Sequence, residues 1–83
     1  MSEGEGSRGG HVIGHTKSGK PVYGDSRLAL GAFHPSSRFS KQDHRDASTL
    51  HHVAGNMAFE QGKTAAVRQH RALAFKHYTA AGG

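Results

Sequence analysis

Phe39-Ser40-Lys41-Gln42-Asp43-His44-Arg45-Asp46-Ala47, running on to Leu50-His51-His52, carries the clearest helix start in the chain and its densest group of titratable side chains. Ser40 is placed to N-cap, its hydroxyl accepting the backbone N–H of Asp43. Asp43 stands at the capping-box position, where its charge suits the positive end of a helix. Phe39 and His44 fall at the two positions of a hydrophobic staple. These signals predict a helix over about 41–61, closed by Gly62 as C-cap. Thr64 then serves as the N-cap of a second helix over about 65–80. The connecting loop is short, so the two helices should pack antiparallel.

Helical spacing puts Ala47, Leu50, Val53, Ala54, Met57 and Ala58 on one face of the first helix, with His44 and His51 at its edge and His52 and Phe59 pointing elsewhere. Gly55 weakens the middle of that helix by roughly 1 kcal/mol against Ala, which favours close packing there. In the second helix Ala66, Val67, Leu73, Ala74, Tyr78 and Ala81 form the apolar face, and His70 and His77 lie inside the same arc.

Upstream, His11-Val12-Ile13-Gly14-His15-Thr16 and Pro21-Val22-Tyr23 favour extended structure on either side of a Ser18-Gly19 turn, so 11–24 reads as a β-hairpin. Pro21 cannot donate to a ladder and belongs at a strand start or an edge. Val12, Val22 and Tyr23 are the expected apolar contacts. Residues 25–39 connect hairpin to helix. Leu28, Leu30 and Phe33 are too apolar for a free linker and predict a lid over the core, with a helical turn at about 27–31, before the turn signal His34-Pro35-Ser36-Ser37. Residues 1–10, rich in Gly, Ser and Glu, have nothing to bury and are expected to be a disordered tail. The fold class is thus α+β: one small domain over 11–81, a β-hairpin and apolar lid on a helical hairpin formed by 40–62 and 64–81.

Composition narrows the functions. Of 83 residues only 34% are hydrophobic, so the core is thin and the domain marginal unless something staples it. Without Cys, disulfides and thiolate zinc sites are excluded. No apolar run approaches membrane-spanning length, and residues 1–10 lack the apolar stretch of a signal peptide. A soluble cytoplasmic protein with no membrane partner is expected. Gly14-His15-Thr16-Lys17-Ser18-Gly19-Lys20 matches seven positions of a phosphate-binding P-loop. Pro21 replaces the Mg²⁺-binding hydroxyl, though, and the following residues read extended rather than helical. There is no GxSxG, and Asp43 with Asp46 is the only close carboxylate pair in the helical part, so no enzyme is predicted.

Two site readings remain. The net charge of +5, which protonation of all eight His would raise to +13, favours an anionic partner, either nucleic acid or an acidic protein surface. Arg68, Arg71 and Phe75 fall close together on the second helix, with Lys76 and Lys63 nearby and no acid from Thr64 to Gly83. Lys17 and Lys20 add positive charge at the hairpin turn. Such a strip contacts phosphates and stacks a base through Phe75. Phe75 is nevertheless expected beneath the hairpin or lid, because the core needs apolar contact on that side. The alternative is a histidine-ligated metal. Across the helical hairpin His51 lies level with about residue 75, within a turn of His77, so His44, His51 and His77, with Asp43 or His34, are candidate ligands for one zinc or nickel ion. Seven residues along a helix span about 10.5 Å, which argues against His44 and His51, or His70 and His77, ligating the same ion together. The bland alternative is that these histidines serve packing and hydrogen bonding.

The run Gly14 to Tyr23, then His34-Pro35, then Phe39 to Ala47 and His51 resembles a short bacterial and phage-associated module, in which a T-x-SGKPIY run precedes HP…F(S/T)xxDHxDAxxxH. The resemblance covers about 12–55. It implies that hairpin and first helix form one unit, which makes Asp43, His44, Asp46 and His51 a set to test together, and it implies no activity and no site assignment.

Overall fold

Strands β1 (Val12–His15) and β2 (Pro21–Tyr23) form an antiparallel hairpin in the computed structural model, which describes residues 12–24 and 26–82. The expected tail over 1–10 and the start of the hairpin at His11 lie outside the described residues. The register pairs Gly14 with Val22 and His15 with Pro21, and an irregularity falls between Val12 and Gly14. At the turn the Thr16 N–H donates to the Lys20 carbonyl, and Gly19 takes a φ of 97°, open to glycine at no steric cost. Pro21 opens β2, as its missing N–H requires, and the P-loop match therefore runs into a strand rather than a helix.

The connector folds as a short helix α1 (Ser26–Ala29) and two 3₁₀ turns (Leu30–Phe33 and Pro35–Ser37). It covers the core differently from the expectation. Ala29 is buried and Phe33 half-buried, whereas Leu28 and Leu30 are exposed.

Helix α2 (Lys41–Glu60) begins as its sequence dictates. The Ser40 hydroxyl accepts the Asp43 N–H, the Asp43 carboxylate accepts the Ser40 N–H, and the rings of Phe39 and His44 lie 5.3 Å apart as the staple. It ends in a Schellman motif in which Gln61 is the C-cap and Gly62, expected there, is the left-handed residue just beyond it. Gly62 (φ 74°) donates to the Phe59 carbonyl and Lys63 to that of Ala58. Helix α3 (Thr64–Ala80) returns antiparallel. Its N-cap is Lys63 with no side-chain cap, so Thr64 is the first helical residue rather than the cap.

The hairpin crosses α2 closely: a Cβ at Gly14 would stand 2.7 Å from Leu50 Cδ2. Gly55 likewise lets α3 approach, a Cβ there meeting that of His70 at 3.4 Å. The core is thin. Its apolar members are Val22, Ala29, Ala47, Ala58, Val67, Leu73, Ala74 and Ala81, and its largest fully buried side chains are His51 and His77. Val53, Met57 and Tyr78, expected on the apolar faces, are about half exposed, and Phe75 is 71% exposed rather than beneath the lid. Among the described residues no helix is long and apolar enough to cross a membrane.

Candidate functional site

Four histidines form the seam between α2 and α3. The Nδ1 atoms of His44 and His77 lie 2.9 Å apart, and those of His51 and His70 lie 3.1 Å apart. The His51 and His77 rings stack between them, centroids 5.6 Å apart. Each Nδ1 pair needs one donor and one acceptor, so within each pair one ring carries the bridging hydrogen and the other accepts it. Phe33 and Phe39 close over the His44–His77 end, Phe33 at 4.4 Å from the His77 ring. The Ser48 hydroxyl donates to the Ala74 carbonyl midway along the seam.

Burial holds His44, His51 and His77 neutral. It lowers His51 from 6.5 to about 4, with the charge of nearby His70 acting in the same direction. It lowers His77 to about 3, helped by His51, His44 and Lys76. Burial also lowers His44, partly opposed by the Asp43 carboxylate.

The candidate metal ligands are not one site. His44 and His77 use their Nδ1 atoms on each other, and His51 uses its own on His70. His34 lies exposed, where its Nδ1 accepts the Ser36 N–H and caps a 3₁₀ turn. The Asp43 carboxylate is taken up elsewhere. Among the described residues no three His, Asp or Glu side chains could hold a metal ion. The expected convergence of His44, His51, His77, His34 and Asp43 on one zinc or nickel ion is therefore not found among the described residues.

Asp43 instead joins hairpin to helix. It accepts from the Ser18 hydroxyl at 2.7 Å and from the Ser40 N–H, and it pairs with Lys20 Nζ at 3.1 Å. Burial pushes its pKa up, but the Ser40 N–H, the Ser18 hydroxyl and the Lys20 ammonium outweigh it and hold the carboxyl well below the usual range. One turn on, Asp46 accepts the Lys17 N–H at 2.9 Å and the Gln42 amide at 2.9 Å, and these bonds lower its pKa too.

The six candidate anion contacts divide. Lys20 is committed to Asp43, and Lys17 stands at the same hairpin turn over the first turn of α2. Helical spacing puts Ser48 and His52 on the opposite side of α2 from Asp43 and Asp46, and Ser48 and His52 border a groove with Arg71, Phe75 and Tyr78 of α3. Arg68 shares a second groove with Phe59 and Arg71. Lys76 lies over the Phe33 ring at 5.0 Å, and Lys63 is exposed at the interhelical turn. The outer face of α3 therefore carries exposed Arg68, Arg71, Phe75 and Tyr78 in a strip without carboxylates. Arg68 and Arg71 have no carboxylate partner among the described residues.

Tyr78 was expected on the apolar face rather than in that strip, and His70, placed in the inward arc, was not among the candidate site residues. The recurrence of His every seven residues in both helices was the signal for the seam. Comparison with protein-family models, with curated proteins and with solved structures finds no match.

Proposed function

We propose that the protein is a non-catalytic interaction module that binds single-stranded nucleic acid along the outer face of α3. The observation that supports this reading is the exposure of Phe75 within a strip that also holds Arg68, Arg71 and Tyr78. A fully apolar ring left in water beside two arginines without carboxylate partners suits base stacking flanked by phosphate contacts. The groove between α2 and α3 continues the strip past His52, so a strand lying across it would also meet that imidazole ring. The net charge of +5 supplies attraction at a distance.

The test is binding of a short fluorescent oligothymidine across a salt series. The wild-type affinity should fall steeply with salt. Replacing Arg68 and Arg71 together by Ala should weaken binding and flatten the log–log slope by about 1.4, for two lost phosphate contacts on a single strand. Polyglutamate, offered as competitor, separates the two anionic partner classes. If it displaces the oligonucleotide at equal charge concentration, the surface recognises acidic chains in general and the nucleic-acid reading fails.

A further inference from the structure

The seam between α2 and α3 is closed by groups that protons would part. Its largest fully buried side chains are His51 and His77, at positions where an ordinary core places aliphatic side chains. In each Nδ1 pair the accepting ring has its lone pair at Nδ1 and takes a proton there. That proton leaves two N–H groups opposed where a hydrogen bond stood. The surroundings do little to balance the new charge. Lys76 stands against His77, Lys20 and Tyr23 border the cleft that His51 and His77 line, Lys63 lines the groove of His70, and Arg71 flanks the seam at Gly55. Asp43, beside His44, is the one carboxylate acting on a seam imidazole among the described residues, and it is paired with Lys20. His51 Nε2 has no hydrogen-bond partner while the seam is closed, so opening gives it water.

The fold is built to part here rather than at the hairpin. The hairpin turn is bonded to α2 through Asp43 and Asp46, carboxylates held ionised below their usual range, so acid strong enough for the imidazoles leaves that joint intact. Away from the seam, α3 meets the connector through Phe33 against His77 and Lys76, and a Gln69 amide reaches the Gly24 carbonyl at 3.5 Å. A helix of 17 residues is marginal alone in water. The candidate binding groove needs both helices, since Ser48 and His52 come from α2 and Arg71, Phe75 and Tyr78 from α3. We propose that the histidine seam is a proton-operated latch on the nucleic-acid face, which frees α3 from α2 in mild acid and releases the bound strand. This rests on the binding reading above. Its sign is opposite to that of charge alone, because raising the net charge from +5 toward +13 would tighten a simple electrostatic contact.

The test follows the full chain from about pH 7.5 to about pH 4.5 at fixed ionic strength, by amide hydrogen exchange and by binding of fluorescent oligothymidine, whose bases and phosphates keep their charge in this range. Corrected for intrinsic rates, the α3 amides should lose at least about tenfold in protection below about pH 6, while those of residues 45–50 in α2 keep theirs. Oligothymidine affinity should fall at least about tenfold over the same interval, following the fraction of closed protein. His44→Asn combined with His51→Asn gives His77 and His70 an amide oxygen that accepts from a protonated ring, and should move both changes to lower pH. Unchanged protection of α3, or protection lost from α2 and α3 together, overturns the latch. So does an affinity that climbs steadily as pH falls. Absence of binding at about pH 7.5 defeats the binding reading itself, whereas binding there without acid release defeats the latch alone. The wild-type measurements decide the question even where the double variant fails to fold.

Discussion

His44 and His77, 33 residues apart in sequence, meet Nδ1 to Nδ1 at 2.9 Å in the interior. The two helices are thus held in register by a hydrogen bond between groups that a proton would turn into like charges. This makes the stability of the domain a function of pH in a range where most small proteins are indifferent to it.

His51 and His77 have folded-state pKa values lowered from 6.5 to about 4 and about 3. Below pH 6.5 the unfolded chain therefore binds protons that the native state refuses, and stability rises with pH until the unfolded histidines are neutral. Stability should be flat above about pH 7. Between about pH 6 and 4 it should fall by up to about 1.4 kcal/mol per pH unit for each of the two histidines. Asp43 keeps its charge through this window, since its contribution is lost only as pH falls below 3.8 toward its depressed folded value. Urea unfolding at a series of pH values measures the slope. A midpoint unchanged from pH 7 to 4.5 would contradict the neutral imidazole seam.

Asp43→Ala removes the capping box, the Ser18 bond and the partner of Lys20 together. The loss should be about 3 kcal/mol, the range for breaking a largely buried pair. Asp46→Ala gives up two hydrogen bonds at the surface and should cost about 1 kcal/mol. Chemical denaturation of the two variants compares them directly, and equal losses would mean that the Asp43 cluster contributes no more than an ordinary surface contact.

Gly14→Val should destabilise by about 1–3 kcal/mol through overpacking, since even a Cβ at this position lies 2.7 Å from Leu50 Cδ2. Gly14 is not in the left-handed region, so the cost is one of space rather than of backbone strain. Combining it with Leu50→Ala should therefore recover part of the loss. A strictly additive double mutant would show that the strand does not rest on this leucine.

Phe75→Ala should leave the unfolding free energy within about 0.5 kcal/mol of wild type, as befits a ring that is 71% exposed. On the proposed reading it should lose about 1–3 kcal/mol of single-strand binding. Loss of stability with binding intact would reverse both assignments.

A chelator should not change the melting temperature, and added zinc should not raise it, because no three candidate ligands converge among the described residues. A zinc-dependent rise in melting temperature abolished by His51→Ala would restore the metal reading.

The parts of the fold legible in the sequence are those written in local chemistry. Ser40 with Asp43, Phe39 with His44, Gly62 and Pro21 each act within a few residues, and each stands where its chemistry predicts. The inward side of α3 was legible through Val67, Leu73, Ala74 and Ala81, whereas that of α2 was legible only through Ala47 and Ala58, because apolar periodicity is a guide only where apolar side chains make the contact. Here α2 turns His44, His51 and Gly55 inward and leaves Val53 and Met57 half exposed. Hydropathy ranks an imidazole as polar, so a helix pair joined by imidazoles is read with its faces displaced. Of the strip on α3, Arg68, Arg71 and Phe75 were legible as a cluster, but the expectation that Phe75 lies under the lid and Tyr78 on the inward face does not hold, since both are exposed.

The bonds from the 16–20 turn to Asp43 and Asp46 bear on the order in which the chain folds. A two-stranded hairpin is at best marginal alone in water. This one is held at its tip by carboxylates 25 and 29 residues further along, at the first turn of α2. Until that turn is wound, Asp43 and Asp46 are not side by side and the hairpin has nothing to dock on. Helix nucleation at Ser40 should therefore precede strand pairing, and the earliest protected amides should be those of α2 rather than those of β1 and β2. During synthesis the first-made segment waits for a later one to give it a place.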